Sequence, residues 1–330
     1  MTIAIGNNPQ KDPHMKTKFS STVMLFATAI IWGFAFVAQV LGGDFVEPFT
    51  FNGIRFLLGS VSLIPVYFLF EKERELSPIE KKARHKRTAG GAVLGGVCLF
   101  IASSLQQFGI ALTRDPGKAG FITGLYTVLT PVFYFLIFRK KTGWNMWLGC
   151  ILATVGLYLL CLREGEGTMF GVGELVLLIG AFFWAGHILL VDRFIDRISP
   201  LRFSSWQFFV CGALGVLAGV IFEESTLEGV WAAKWAILFC GGLSVGVAYT
   251  LQVLAQKRAE PTFAAIVFSA ESVFAAVGGI LWNLVTPENL HVDQDILPIG
   301  YVGCLVIFGG IVLSQLNFSK KQDATSHALE

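Results

Sequence analysis

Ten runs of about 19 to 25 mostly apolar residues follow one another along the chain, near 19–41, 51–70, 89–112, 118–138, 144–162, 171–191, 203–222, 234–256, 262–284 and 297–316. Each can cross a hydrocarbon core about 30 Å thick at a rise of about 1.5 Å per helical residue. The runs carry no polar residue at every turn, as a surface helix of a water-soluble core would, and no alternating pattern of a barrel strand. Lipid supplies no hydrogen-bond partner, so each run must satisfy its own backbone, which leaves helices. The pattern predicts an all-α membrane protein with ten transmembrane helices.

The polar stretches between the runs orient them. With the N-terminus inside, Lys and Arg number 20 on the cytoplasmic segments, against Arg114, Lys118 and Arg163 on the opposite loops. That excess predicts cytoplasmic termini in a bacterial-type inner membrane. Residues 1–18 and 317–330 are then cytosolic tails, and 71–88 is a cytosolic loop, its run from Glu71 to Arg87 read as a linker with a surface helix.

The chain also repeats itself. A shift of 152 residues lays Trp32 on Trp184, Pro48 on Pro200, Phe51 on Phe203 and Phe56 on Phe208. The offset then drifts, with Leu105-Gln106 on Leu251-Gln252, Val132-Phe133 on Val273-Phe274 and Gly149-Cys150…Gly156 on Gly303-Cys304…Gly310. The two units, 19–162 and 171–316, hold five spans each. An odd number reverses the second relative to the first, giving two inverted five-helix repeats around a central cavity. Glycine pairs at Gly91/Gly95, Gly120/Gly124, Gly215/Gly219 and Gly242/Gly246 are candidates for close helix approach.

Composition agrees: 54% of residues are hydrophobic and 15% charged, where soluble domains carry about 25% charge. A net charge of +2 spread over short loops excludes a nucleic-acid partner as the reading of the basic residues. The six cysteines, Cys98, Cys150, Cys161, Cys211, Cys240 and Cys304, all fall in apolar runs and read as small buried hydrophobes.

The span order, "IIWGFAFVAQ" in span 1, "SSLQQFGIALT" and "AGFITGLYTVLTPVF" in spans 3 and 4, "FWAGHILLVDRF" in span 6 and "SAESVFAAVGGILW" in span 9 resemble the EamA-type drug/metabolite transporter superfamily. The resemblance covers residues 20 to 316. It implies a ten-helix transporter with a central cavity, in many members an exporter of metabolites or amino acids. Some relatives exchange phosphorylated solutes, but no paired Lys or Arg in the late spans could clamp a phosphate.

Ionisable groups inside spans mark candidate sites, because a charge in a bilayer is costly unless it faces a cavity. Glu271 lies near the middle of span 9, and the 141-residue shift pairs it with Thr130. It reads either as a structural carboxylate or as a ligand for a substrate amine or a coupling proton. His187 shares a face with Trp184, and reads as a packing residue or as part of the site. In span 4, Thr123, Tyr126, Thr127 and Thr130 form a polar stripe at i, i+3, i+4 and i+7, expected to line the cavity. Gln106, with Ser103 in span 3, repeats as Tyr249 and Gln252 in span 8, uncharged groups that suit a polar or zwitterionic solute. Trp32, Phe36 and Gln39 share a face of span 1, with Trp32 and Trp184 as facing walls or interfacial anchors. Arg55, one turn inside span 2, reads as a snorkelling anchor or as a recogniser of carboxylate. His291, Asp293 and Asp295 have metal-ligand spacing but fall in a short outer loop, so no metal and no cofactor is expected.

The expected function is secondary-active transport of a small polar or amino-acid-like solute, with export implied by the resemblance alone and a proton or other ion as a candidate coupling partner. The alternatives are a lipid or lipid-carrier flippase on the same scaffold, or an intramembrane enzyme. The enzyme lacks support, since no Ser/His/Asp grouping, His-xxx-His pair or carboxylate pair occurs within the spans.

Overall fold

A computed structural model describes residues 13–70, 77–160, 162, 171–290, 292, 294 and 297–316. Residues 1–12 of the N-terminal tail, the C-terminal tail 317–330, Cys161, Arg163 and the triad His291, Asp293 and Asp295 lie outside these residues, whereas 13–18 are already helical, as the start of the first helix. The described chain is helical: α1 (Pro13–Gly43), α2 (Pro48–Phe70), α3 (Pro78–Thr113), α4 (Pro116–Gly124), α5 (Tyr126–Phe138), α6 (Trp144–Leu160) and α7 (Val172–Phe194). Then come α8 (Pro200–Phe222), the short α9 (Leu227–Ala232), α10 (Lys234–Leu238), a π-helical segment (Phe239–Tyr249), α11 (Thr250–Ala255), α12 (Pro261–Phe268), α13 (Glu271–Val285) and α14 (Pro298–Gln315). Nine helical stretches among the described residues are long and apolar enough to cross a membrane, and Trp144–Leu160 is a shorter apolar helix. These are the ten spans, with α4 and α5 together as the fourth and α12 and α13 as the ninth. The chain is a multi-pass membrane protein.

Helix starts follow local chemistry. Pro48, Pro78, Pro116, Pro200, Pro261 and Pro298 open their helices, where the missing N–H costs nothing. Ser77 and Glu80 form a reciprocal capping box ahead of α3, and those hydrogen bonds hold the exposed Glu80 carboxyl below its ordinary range. Glu223, just past α8, accepts from the backbone N–H of Phe49 at 2.6 Å and of Thr50 at 2.8 Å. A carboxylate from one repeat thus satisfies the first turn of α2 in the other.

The packing obeys a two-fold relation. The helices α2 and α8 pack on each other, as do α6 and α14; α3 packs on α7 as the π segment and α11 pack on α1. Equivalent residues meet along the axis: the rings of Phe56 and Phe208, both fully buried, lie 6.1 Å apart. Where α6 meets α14, a Cβ built on Gly156 would stand 2.6 Å from the Gly303 carbonyl oxygen, and one on Gly149 3.0 Å from that of Gly310. These are the glycines that the repeat shift equates, so the symmetry requires both contacts once it has one. Of the small-residue pairs, Gly215 lies against Gly53 in α2, whereas Gly242 meets nothing and owes its residue type to no contact.

We call the face where α1 begins and α14 ends the terminal face, and the opposite one the far face.

Candidate functional site

Both of the central composite spans are tightened at their middle. The N–H of Leu125 bonds the Ile122 carbonyl at 3.2 Å, and that of Ala270 bonds the Val267 carbonyl at 3.2 Å, each a three-residue turn within an α-helical stretch. The second half of each span therefore starts afresh, at Tyr126 in one and at Glu271 in the other. These two positions are 145 apart, as are Pro116 and Pro261, which open the spans. The equivalent of Glu271 is thus Tyr126 and not Thr130. An offset of 145 continues the 146 that relates Gln106 to Gln252, whereas the 141 read from Val132-Phe133 rested on a common apolar dipeptide.

At the join lies a central cavity lined by Trp32, Ala35, Phe36, Gln39, Arg55, Gln106, Thr123, Tyr126, Trp184, Ile188, Ser244, Tyr249, Gln252 and Glu271. The free space is about 30 Å³, enough for roughly two waters at 10–15 Å³ each. A metabolite fits only if the helices part.

A basic and an acidic side chain face this space. Glu271 is 3% exposed and accepts a hydrogen bond from the Tyr126 hydroxyl at 2.9 Å. Arg55 is likewise 3% exposed; its Nε donates to Asn52 Oδ1 at 2.8 Å, and its guanidinium carbon lies 5.6 Å and 5.2 Å from the ring centres of Phe51 and Phe56. Among the described residues no carboxylate pairs with Arg55 and no Lys or Arg pairs with Glu271. Arg55 does not snorkel. The Asn52 bond and the two aromatic faces turn its side chain inward, and this corrects the anchor reading.

Aromatic rings form the rest of the wall. Trp32 and Trp184 flank Tyr249, with ring centres 4.6 Å and 6.1 Å from it, so the repeat-related tryptophans are walls of one chamber. The Trp32 Nε1–H donates to the Ser244 carbonyl at 3.3 Å. Ser244 and Tyr249, five residues apart, would diverge on an α-helix. The wider π-helical winding of Phe239–Tyr249, with i→i+5 hydrogen bonds, returns them to one face. Gln106 Nε2 donates to Thr123 Oγ1 at 3.3 Å. Three buried polar atoms of lining residues have no partner: Gln39 Oε1, Trp184 Nε1 and Gln252 Oε1.

The structure divides the span 4 stripe. Thr123 and Tyr126 line the cavity, but Thr127 Oγ1 donates to the Ala265 carbonyl at 3.0 Å across the helices, and Thr130 Oγ1 to the Tyr126 carbonyl at 2.7 Å within its own. The turn at Leu125 rotates the lower half of the stripe away, which a uniform helical period could not anticipate. His187 also stands off the cavity, behind Trp184 and Tyr249, its Nε2 3.1 Å from Gln207 Oε1. Sequence reasoning passed over Ala35, Ile188 and Ser244, which carry no charge, and left Arg55 between an anchor and a recogniser of carboxylate. The Asn52-x-x-Arg55 spacing was the available signal.

A bundle of ten spans in two inverted repeats, with Arg55 and Glu271 facing a cavity at its centre, is the arrangement of a membrane transporter. The profile of the EamA-like transporter family matches residues 20–162 and 171–316, and the chain belongs to that family. Among its relatives are an uncharacterized transporter of Archaeoglobus fulgidus, 26% identical over 88% of this chain and 84% of its own, and the uncharacterized transporter YoaV of Bacillus subtilis, 22% identical over 90% and 97%. A crystal structure of a protein 18% identical in sequence has the same fold, with a TM-score of 0.67 over 90% of this chain and 96% of the other.

Proposed function

We propose that the protein is a secondary transporter of a small zwitterionic solute, working by alternating access about the central cavity. The observation that carries this reading is the pair of ionisable groups of opposite kind, Arg55 and Glu271, on the wall of one cavity with no charged partner among the described residues. Holding a charge out of water without a counter-ion costs several kcal/mol, an expense that a ligand with complementary charges removes. The guanidinium suits a carboxylate, and the Glu271 carboxylate with the Gln39 and Gln252 oxygens suits an ammonium group. The aromatic walls suit the apolar part of the solute. The sequence segments read as cytoplasmic carry 20 Lys and Arg, which makes the face where α1 begins the cytoplasmic one in an inner membrane. Export is the direction the family resemblance favours.

The test is counterflow in proteoliposomes with a panel of zwitterionic, purely anionic and purely cationic amino-acid-like solutes. Exchange of zwitterions, lost in Arg55→Gln and in Glu271→Gln, is the expected result. Exchange restricted to solutes of a single charge overturns it.

A second reading, lipid transport, has one observation in its favour. A groove of about 560 Å³ opens sideways towards the far face between α1, α10 and α13, lined by apolar residues including Phe34, Trp235 and Trp282. The groove holds no charge, and Arg55 faces the other chamber. Scrambling of labelled phospholipid in the same proteoliposomes separates the two readings.

A further inference from the structure

Cavity lining follows the two-fold relation only in part. Trp32 and Trp184 both line it, as do Phe36 and Ile188, Gln106 and Gln252, and Tyr126 and Glu271. Away from the centre the symmetry fails. Ala35 and Arg55 line the cavity, but their equivalents under the 152-residue shift, His187 and Gln207, are fully buried and outside it. Arg55 and Gln207 stand seven residues into α2 and α8, which start at opposite faces. The cavity is thus displaced towards the far face, and the mirror-image volume on the terminal side is closed.

That closed volume holds polar groups without partners. The Nε2 of His187 meets Gln207 Oε1, but His187 Nδ1, Gln207 Nε2 and Ser204 Oγ are buried and make no hydrogen bond. Ser204 is the equivalent of Asn52, the residue that orients Arg55. Leaving one such group unsatisfied costs about 1–3 kcal/mol, so three on fully buried residues, with His187 against Gln207 and Ser204 one helical turn before it in α8, call for a state in which they are used. The rings of Trp184 and Tyr249, each 6.3 Å from the His187 ring centre, are the partition between this cluster and the cavity.

We propose that His187, Ser204 and Gln207 form the second half of the binding site, exposed and contacting solute when the transporter opens to the terminal face. The proposal rests on the transporter reading above. Rocking one inverted repeat against the other exchanges the environments of equivalent residues. The volume beside Ala35 and Arg55 then closes, and that beside His187 and Gln207 opens. The two halves differ in chemistry. On the far side the solute carboxylate meets a guanidinium, and on the terminal side it meets imidazole, amide and hydroxyl hydrogen-bonding groups. A site built this way binds the same zwitterion more weakly from the terminal side.

The test is thiol accessibility, which needs no knowledge of the solute. Single cysteines at 187, 204 and 207, with a control at 55, are placed in a protein whose six native cysteines are replaced. A membrane-impermeant maleimide is then applied to right-side-out and inside-out vesicles. The expected result is reaction at 187, 204 and 207 from the terminal face alone and at 55 from the far face alone. Adding Ala35→Trp, which fills the cavity seen here, should raise labelling at 204 and 207 and abolish it at 55. Ser204→Cys replaces a hydroxyl with a thiol and keeps the packing if His187→Cys does not fold. Labelling at 55 with none at 204 and 207, even with Ala35→Trp, overturns the proposal and leaves the transporter reading intact. No labelling at any of the positions overturns both, and labelling of all of them from one face rules out the exchange of environments.

Discussion

The Tyr126 hydroxyl and Glu271 Oε1 lie 2.9 Å apart, and the two residues occupy the same position in the two repeats. A contact between equivalent residues falls on the two-fold axis, so this hydrogen bond ties the repeats together at the centre of the cavity. Any motion that rocks one repeat against the other must rotate or break it. Substituting either partner should therefore alter the cycle more than the fold. Tyr126→Phe keeps the ring and removes the one hydroxyl that, among the described residues, satisfies the carboxylate. The expected outcome is transport reduced about tenfold or more, in line with 1.5–3 kcal/mol for a charge-assisted hydrogen bond, with normal yield and gel-filtration profile. Wild-type rates in Tyr126→Phe would deny the bond a part in the cycle.

Glu271→Gln keeps shape and hydrogen-bonding capacity but removes the charge. If Glu271 exchanges a proton during the cycle, the variant loses the dependence of transport on external pH while counterflow of solute against solute persists. If it binds the ammonium group, counterflow of zwitterions is lost at every pH. Full activity with the wild-type pH profile would assign Glu271 a structural role alone.

The α6–α14 contact offers a stability test with an internal control. At Gly156 a Cβ would stand 2.6 Å from the Gly303 carbonyl oxygen and 2.8 Å from Ile307 N, both backbone atoms that cannot turn aside. Overpacking of this kind costs about 1–3 kcal/mol, so Gly156→Ala should lower the unfolding temperature in detergent by several degrees. Gly242→Ala, where nothing stands within 4 Å, should leave it unchanged or slightly raised. Equal melting of the two variants would show that the glycine contact does not hold these spans together.

How much of this was legible in the sequence depended on periodicity. The ten spans and their inversion follow from apolar run length and a repeat anchored by Trp32/Trp184 and Pro48/Pro200, features that survive without knowledge of packing. Arg55 was left with two readings, anchor or carboxylate recogniser, because depth along a span says nothing of direction; the contacts that turn it inward, with Asn52 three residues before it and with Phe51 and Phe56, lie within α2 itself. Thr127 and Thr130 were drawn into the site because a 3.6-residue period was assumed unbroken through Leu125. Neither break carries a proline, so nothing in "TGLYT" or "FSAES" marks it. A cysteine scan of this span should accordingly label positions 123 and 126 and spare 127 and 130. Equal labelling at all four would restore the continuous stripe.

Arg55 gives the sharpest measure of the solute's charge. Its Nε is held by Asn52 and its planar group lies near Phe51 and Phe56, so the remaining guanidinium nitrogens are directed rather than free to search. Lys keeps the positive charge but has neither the planar fork nor the Nε that Asn52 holds, and its compact ammonium would sit differently among the rings. Gln, the residue at the equivalent position 207, removes the charge and makes the two halves of the site alike in that respect. A carboxylate bound by charge-assisted hydrogen bonds worth 1.5–3 kcal/mol loses about 10- to 150-fold in affinity when they are removed. Arg55→Gln should therefore raise KM for a zwitterion by that factor from the far face, with a smaller effect from the terminal face, and Arg55→Lys should fall between it and the wild type. A cationic analogue in which an amide replaces the carboxylate should bind Arg55→Gln no worse than the wild type. If KM for the zwitterion is the same in all three proteins, Arg55 does not recognise the solute, and the buried guanidinium serves the packing of α2 alone.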